Sequence, residues 1–259
     1  MIGSLFITGP AGTGKSTFCG SMKNYIQMNN AECFAVNLDP GADYIPYEAD
    51  VDVREWISLP EIMQDYNLGP NGAQVVAADL MLDRVDEIKR GIDDLGEGYI
   101  LFDTPGQIEL FSFRQGSVRL VDELTGGKTM MSFLADSVIA TTPSGFVSQK
   151  MLFGSVFYRF FKPMLFVLNK SDMITAEDLA RAQRWEADPD LLYDDLRDEK
   201  QSMVKEYLLG VVRSFKESEL MNQMYPTSSN DMSGLEDIYS QMTLFFLGGE
   251  DTDTAYKDE

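Results

Sequence analysis

The nine residues Gly9-Pro10-Ala11-Gly12-Thr13-Gly14-Lys15-Ser16-Thr17 fit G-x-x-x-x-G-K-[ST]. An apolar strand at 2–8 runs into them and a helix at 15–29 runs out, the setting this loop requires. Glycine lets main-chain N–H groups turn inward around a polyphosphate, and the helix start adds partial positive charge. Gly12, Thr13, Gly14 and Thr17 belong to that cradle. Lys15 reaches the outer phosphate oxygens, and the Ser16 hydroxyl is placed to ligate Mg2+.

Outward from this loop, strand-like and helix-like segments alternate. The chain therefore reads as a doubly wound α/β fold with a mostly parallel sheet. Strands are expected at 32–37, 98–103, 129–135, 163–169 and 224–227, and further helices at 72–94, 145–161 and 232–247. Within 72–94, Val75, Ala78, Leu82, Val85 and Ile88 recur at spacings of three and four. The segment 145–161 is apolar nearly all round and reads as a buried core helix, with a Met- and aromatic-lined peptide groove as the alternative. A polar, acidic stretch over about 175–223 reads as a helical insertion at one edge of the sheet. The expected organisation is a single domain over 1–247 carrying that insertion, then an acidic, disordered tail at 248–259.

The 259 residues include 42 acidic and 21 basic side chains and no histidine, a formal charge of −21. Such a chain repels phosphate backbones, which argues against nonspecific nucleic-acid binding. Without histidine there are no His-based triads and no His-ligated zinc. Cys19 and Cys33 make no CxxC motif and no disulfide framework, which suits a reducing cytoplasm. No apolar run reaches the roughly 18 residues needed to cross a bilayer, and the first residues lack the basic region of a signal peptide. A cytoplasmic protein without membrane association is expected.

Asn169-Lys170-Ser171-Asp172, at the end of a strand, fits N-K-x-D. A carboxylate at Asp172 accepts both N1–H and the exocyclic N2–H2 of guanine. Adenine offers no such pair, so a buried acid facing it would be left unpaired. Asn169 would brace the loop, and the Lys170 stem would cover the base. Ser228 and Ser229, within Thr227-Ser228-Ser229-Asn230, follow the last strand. They either offer main-chain N–H groups to the guanine carbonyl or cap the next helix.

Asp103-Thr104-Pro105-Gly106-Gln107 fits D-x-x-G-Q. Asp103, at a strand's C-terminal end, faces the crevice where α/β sheets bind ligands and would hold Mg2+ through water. The Gly106 N–H would contact a γ-phosphate, and Gln107 would orient an attacking water. Glu109 and Asp39 are further candidates for polarising that water, Asp39 also for the metal, with capping as the alternative for both.

Gly69-Pro70-Asn71 stands between Asp39 and the Asp103 motif, preceded by Pro46-Tyr47-Glu48 through Asp52-Val53-Arg54-Glu55. Together with the motifs above, this combination resembles the GPN-loop GTPases over about residues 2–247. The resemblance implies a P-loop NTPase core that hydrolyses GTP to GDP and phosphate with Mg2+. It also implies a homodimer in which Gly69, Pro70 and Asn71 of one subunit reach the other's site, Asn71 toward the γ-phosphate. By the same analogy Phe111, Phe113 and a helix over 107–124 are interface surface. Arg54, the nearest arginine, reads as structural rather than as an arginine finger. Kinship further implies a nucleotide-dependent switch or assembly factor with a protein client, RNA polymerase subunits being the client it points to. Two other readings share the phosphate loop. One is a nucleoside or small-molecule kinase, against which stand N-K-x-D and an arginine-poor 176–222. The other is a GTP-binding scaffold with negligible hydrolysis.

Overall fold

The computed structural model describes residues 1–199, 203–218 and 223–248, so the tail expected beyond Gly248 lies outside the described residues. In chain order, β1 (Gly3–Thr8), α1 (Lys15–Met28), β2 (Cys33–Asn37) and β3 (Val51–Asp52) come first. A single 3-10 turn (Val53–Glu55), α2 (Leu59–Asp65), α3 (Pro70–Asp83), α4 (Val85–Asp93) and β4 (Tyr99–Asp103) follow. Next are α5 (Ile108–Phe111), α6 (Ser117–Thr125), β5 (Thr129–Asp136), α7 (Pro143–Phe160) and β6 (Met164–Asn169). Helices α8 (Ala176–Ala187), α9 (Pro189–Asp198) and α10 (Met203–Ser218) precede β7 (Met224–Pro226) and α11 (Leu235–Leu247).

The seven strands among the described residues are all parallel, in the order β3-β2-β4-β1-β5-β6-β7. Parallel strands need helical crossovers, and these cover both faces. Alternate residues of each strand divide between the faces. Leu5, Ile7, Leu101 and Val167 pack with Phe18, Met22 and Ile26 of α1 and with Ile238 and Met242 of α11. Phe6, Phe102, Phe133 and Phe166 face the other layer, built from α2 through α10. There Phe6 stacks on Phe102 at 4.2 Å and on Phe111 at 6.0 Å. Each such ring contributes about 2–3 kcal/mol by leaving water. Because β1 lies between β4 and β5, its C-terminal end sets Ile7 opposite Asp103 and Thr8 opposite Phe133. The ends of β2, β4, β1, β5 and β6 therefore open on one crevice.

Several expectations change. The helix expected at 72–94 is two, α3 and α4, because Arg84 leaves helical geometry (φ −107°, ψ 10°). No proline or glycine marks that break. The buried stripe of α3 is Ala73, Ala77, Ala78 and Met81, while Val75 is exposed. The expected helix over 107–124 is also two, α5 and α6. Phe111 is core rather than interface surface; Phe113 is 41% exposed. Helix α7 buries Phe146, Val147, Phe153, Val156 and Phe160, but Tyr158 and its capping residue Phe161 are exposed. Helix α2 was not expected, although Ser58-Leu59-Pro60-Glu61 is a capping sequence and the Ser58 hydroxyl does accept the Glu61 N–H.

Helix α9 packs on both α8 and α10, and α9 and α10 also contact α7. The α7–α8 junction buries an ion pair: Lys150 Nζ lies 2.7 Å from Glu186 Oε1 and 3.9 Å above the Phe166 ring. Among the described residues no helix is long and apolar enough to cross a membrane.

Two glycines separate backbone strain from packing. Gly126 has φ +60° and open space where a Cβ would stand; Gly234 has φ +75°, and a Cβ there would lie 2.0 Å from the Pro226 carbonyl oxygen. Gly126→Ala should cost about 1 kcal/mol, the left-handed penalty alone. Gly234→Ala should cost at least about 1 kcal/mol more, because the 226–227 turn must move. Urea unfolding of both variants measures the difference, and equal losses would contradict it.

Candidate functional site

The phosphate loop joins the end of β1 to α1 and is turned by glycines at φ +146° (Gly9), +79° (Gly12) and +89° (Gly14). A Cβ on Gly14 would stand 2.8 Å from Asn169 Nδ2, so both backbone angle and proximity require glycine. Lys15 is buried, and its ammonium donates to the carbonyls of Gly9 (2.9 Å), Pro10 (3.0 Å) and Gly106 (2.8 Å). Burial lowers its pKa to about 8, against the pull of Asp103 and Asp39. The lysine thus ties the phosphate loop to the D-x-x-G-Q turn. Thr13 is buried beside it, while Gly12 and Thr17 are exposed.

Asn169 joins the phosphate loop to the base-recognition loop. Its Nδ2 donates to the Thr13 carbonyl at 2.8 Å, and its Oδ1 accepts from the Thr227 (3.2 Å) and Ser229 (3.0 Å) hydroxyls. It braces, as expected, and does so with both ends of the amide. Lys170 takes the left-handed conformation (φ 62°), donates to Asp136 Oδ2 at 2.8 Å, and has its carbonyl held by the Ser137 hydroxyl. Asp172 is exposed rather than buried, and its Oδ2 accepts from Asn230 Nδ2 at 2.8 Å. The Thr227 N–H donates to the Leu168 carbonyl and the Ser228 N–H to the Ser233 carbonyl. The Ser228 amide is therefore engaged within its own loop.

Asp103 is 1% exposed at the end of β4. Its Oδ2 accepts from the Tyr47 hydroxyl at 2.9 Å, and its buried Oδ1 has no hydrogen-bond partner among the described residues. Burial raises its pKa to about 6, opposed by the Ser16 and Tyr47 hydroxyls and by Lys15. Burial likewise keeps the Tyr47 phenol protonated, so it acts as a neutral donor. Asp39 spends one oxygen on the Gly41 N–H (2.8 Å) and the other on the Gly106 N–H (2.9 Å). The Gly106 amide expected to meet a γ-phosphate is thus capped by a carboxylate. Gln107 precedes α5, and its Nε2 donates to Gln74 Oε1 of α3 at 3.2 Å.

Glu109 is exposed in α5. Gly69, Pro70 and Asn71 are exposed at the start of α3. Arg54 grips Asp52 and the Ala42 carbonyl, the structural part expected of it. Tyr47 was quoted only within the family-like stretch, without a role, and Gln74 not at all, since each acts through a contact made 56 or 33 residues away.

The donor set fits a hard divalent cation. Asp103 Oδ1 is an orphan oxygen, the Ser16 hydroxyl is close by, and Mg2+ prefers one or two carboxylates plus waters and substrate phosphates. Among the described residues no three acidic or cysteine side chains converge into a self-sufficient metal cage.

The sequence family described as a conserved hypothetical ATP binding protein matches residues 7–245. The chain is 31% identical over 188 residues to GPN-loop GTPase 1 of Schizosaccharomyces pombe, a match over 71% of this chain and 50% of that protein. With GPN-loop GTPase 3 of Saccharomyces cerevisiae it shares 30% identity over 246 residues, 91% of this chain and 89% of that one. The crystal structure of a GTPase from Pyrococcus abyssi in its apo form has a TM-score of 0.84 and 28% identity, covering 95% of this chain and 98% of that one. Matched along nearly its whole length by the family and by the S. cerevisiae relative, the chain belongs to the GPN-loop GTPase family.

Proposed function

We propose that this GPN-loop GTPase binds GTP with Mg2+ and hydrolyses it to GDP and phosphate as a homodimer. Its nucleotide-dependent shape would act as a switch in assembling a client protein complex. The observation that carries the reading is the Asn169 amide. It fastens the phosphate loop (Thr13) to the loop beside Asp172 (Thr227, Ser229), which supports a single site that would grip phosphates and inspect a base. The acceptor pair of Asp172 favours guanine over adenine.

A triphosphate would take over donors that now serve the protein itself. Lys15 would exchange the carbonyls of Gly9, Pro10 and Gly106 for phosphate oxygens. The Gly106 N–H would exchange Asp39 for the γ-phosphate, freeing the Asp39 carboxylate to polarise water. Gln107 would turn from Gln74 to orient that water. Asp103 and Ser16 would hold Mg2+, which neutralises charge developing on the phosphate oxygens. The exposed Asn71 would enter the partner's site and donate its amide there. Neutral donors stabilise transition-state charge less than an arginine, so slow turnover is expected. After cleavage the loops around Asp39 and Gly106 would relax to their own contacts, which is the switch. RNA polymerase subunits remain the client that kinship points to; the exposed Tyr158 and Phe161 at the end of α7 are apolar surface available to one.

Phosphate release with GTP and with ATP tests the reading: preference for GTP supports it, and preference for ATP would remove it. Lys15→Ala should weaken GTP binding about 100-fold or more, as for removal of a buried charged partner; calorimetry checks this. Asp172→Asn turns one acceptor into a donor, matching the C2 carbonyl of xanthine. Competition binding should show preference moving from guanine to xanthine nucleotides by about a thousandfold or more. Asn71→Ala should slow single-turnover hydrolysis by about 100-fold, the scale for losing one oxyanion donor. Its GDP affinity should stay within about twofold, because the amide acts on the γ-phosphate; equal loss of both would point to a folding role instead.

A further inference from the structure

Residues 38–50 leave the sheet between β2 and β3, yet Tyr47 within them turns inward. The segment lies so close to α1 that a Cβ on Gly20 would stand 3.2 Å from Tyr47 Cβ and 3.3 Å from the Pro46 carbonyl oxygen. That glycine gives the ring room to cross α1 and reach the end of β4. Its hydroxyl donates to Asp103 Oδ2 at 2.9 Å. Asp103 is almost wholly buried, and its other oxygen, Oδ1, has no hydrogen-bond partner among the described residues. A buried acceptor without a partner is unfavourable by about 1–3 kcal/mol, so such an atom calls for a ligand.

Free rotation would let either carboxylate oxygen face the crevice. A hydroxyl fixed on one oxygen leaves one orientation, and a metal site tightens when an outer partner fixes its ligand. We propose that Tyr47 is a positioning residue of the Mg2+ site, its phenol pinning Asp103 Oδ2 so that Oδ1 is presented to the cation beside Ser16. The inference rests on the assignment of Asp103 to Mg2+ made above. It also makes the 38–50 loop a participant in metal binding. Because coupling is reciprocal, Mg2+ must in turn favour the docked position of Tyr47.

The experiment is retention of a fluorescent GDP analogue by the full chain, titrated with free Mg2+ and repeated in EDTA. Tyr47→Phe keeps the ring against α1 and removes only the hydroxyl. The Mg2+ concentration for half-maximal retention should rise about tenfold, the scale of outer-partner losses at metal sites. Metal-free GDP affinity should stay within about twofold of wild type, since the hydroxyl acts only through the metal ligand. Tyr44→Phe, which alters an exposed tyrosine of the same loop, should leave the midpoint unchanged. In an Asp103→Asn background the further Tyr47→Phe change should move it little, because both act through one contact. An unaltered midpoint in Tyr47→Phe, or an equal loss of metal-free affinity, overturns the proposal. A wild-type chain indifferent to Mg2+ would instead overturn the metal assignment on which it rests.

Discussion

The site depends on one side-chain amide. Asn169, at the end of β6, reaches across β5 to the loop that follows β1, because parallel strands deliver their C-terminal ends to the same edge. Its donor takes a phosphate-loop carbonyl, and its acceptor takes two hydroxyls from the loop after β7. Gly14 leaves the space that this approach occupies. Three segments far apart in sequence are thereby held in one register, and a nucleotide spanning them would be read at both ends.

The electrostatics point the same way. A chain with 42 acidic and 21 basic residues sets a buried lysine within the field of two carboxylates, Asp39 and Asp103. That balance does not by itself welcome a highly charged anion. A divalent cation arriving with the nucleotide would resolve the conflict, since its charge would offset both the acids and the phosphates. Meanwhile the protein satisfies its own polar groups: Lys15 binds carbonyls and Asp39 binds the Gly106 amide. Each contact mimics one that a phosphate would make, so exchanging one set for the other can be nearly balanced. A loop held by exchangeable contacts is suited to switching.

Much of this was legible in the sequence because its signals are local. The phosphate loop, N-K-x-D and D-x-x-G-Q each occupy a few consecutive residues at a strand end, and every expected strand lies within a residue or two of its place. What escaped was nonlocal or too short. Strand β3 has two residues, below any periodicity. The break at Arg84 carries no helix breaker, so an unbroken 3.6-residue pattern runs through it. Gln74 lies in no motif, Tyr47 only in a stretch that carried no assigned role, and both matter through their contacts with Gln107 and Asp103. The exposure of Asp172 and the use of the Ser228 amide inside its own loop are likewise properties of packing.

The central claim is that one pocket joins a phosphate cradle to a guanine-selective acid. Isothermal titration of the purified chain with GTP and with ATP, both in excess Mg2+, tests it most directly. The account predicts saturable heat with GTP and at least about a thousandfold weaker binding of ATP. Equal affinities, or tighter binding of ATP, would contradict it.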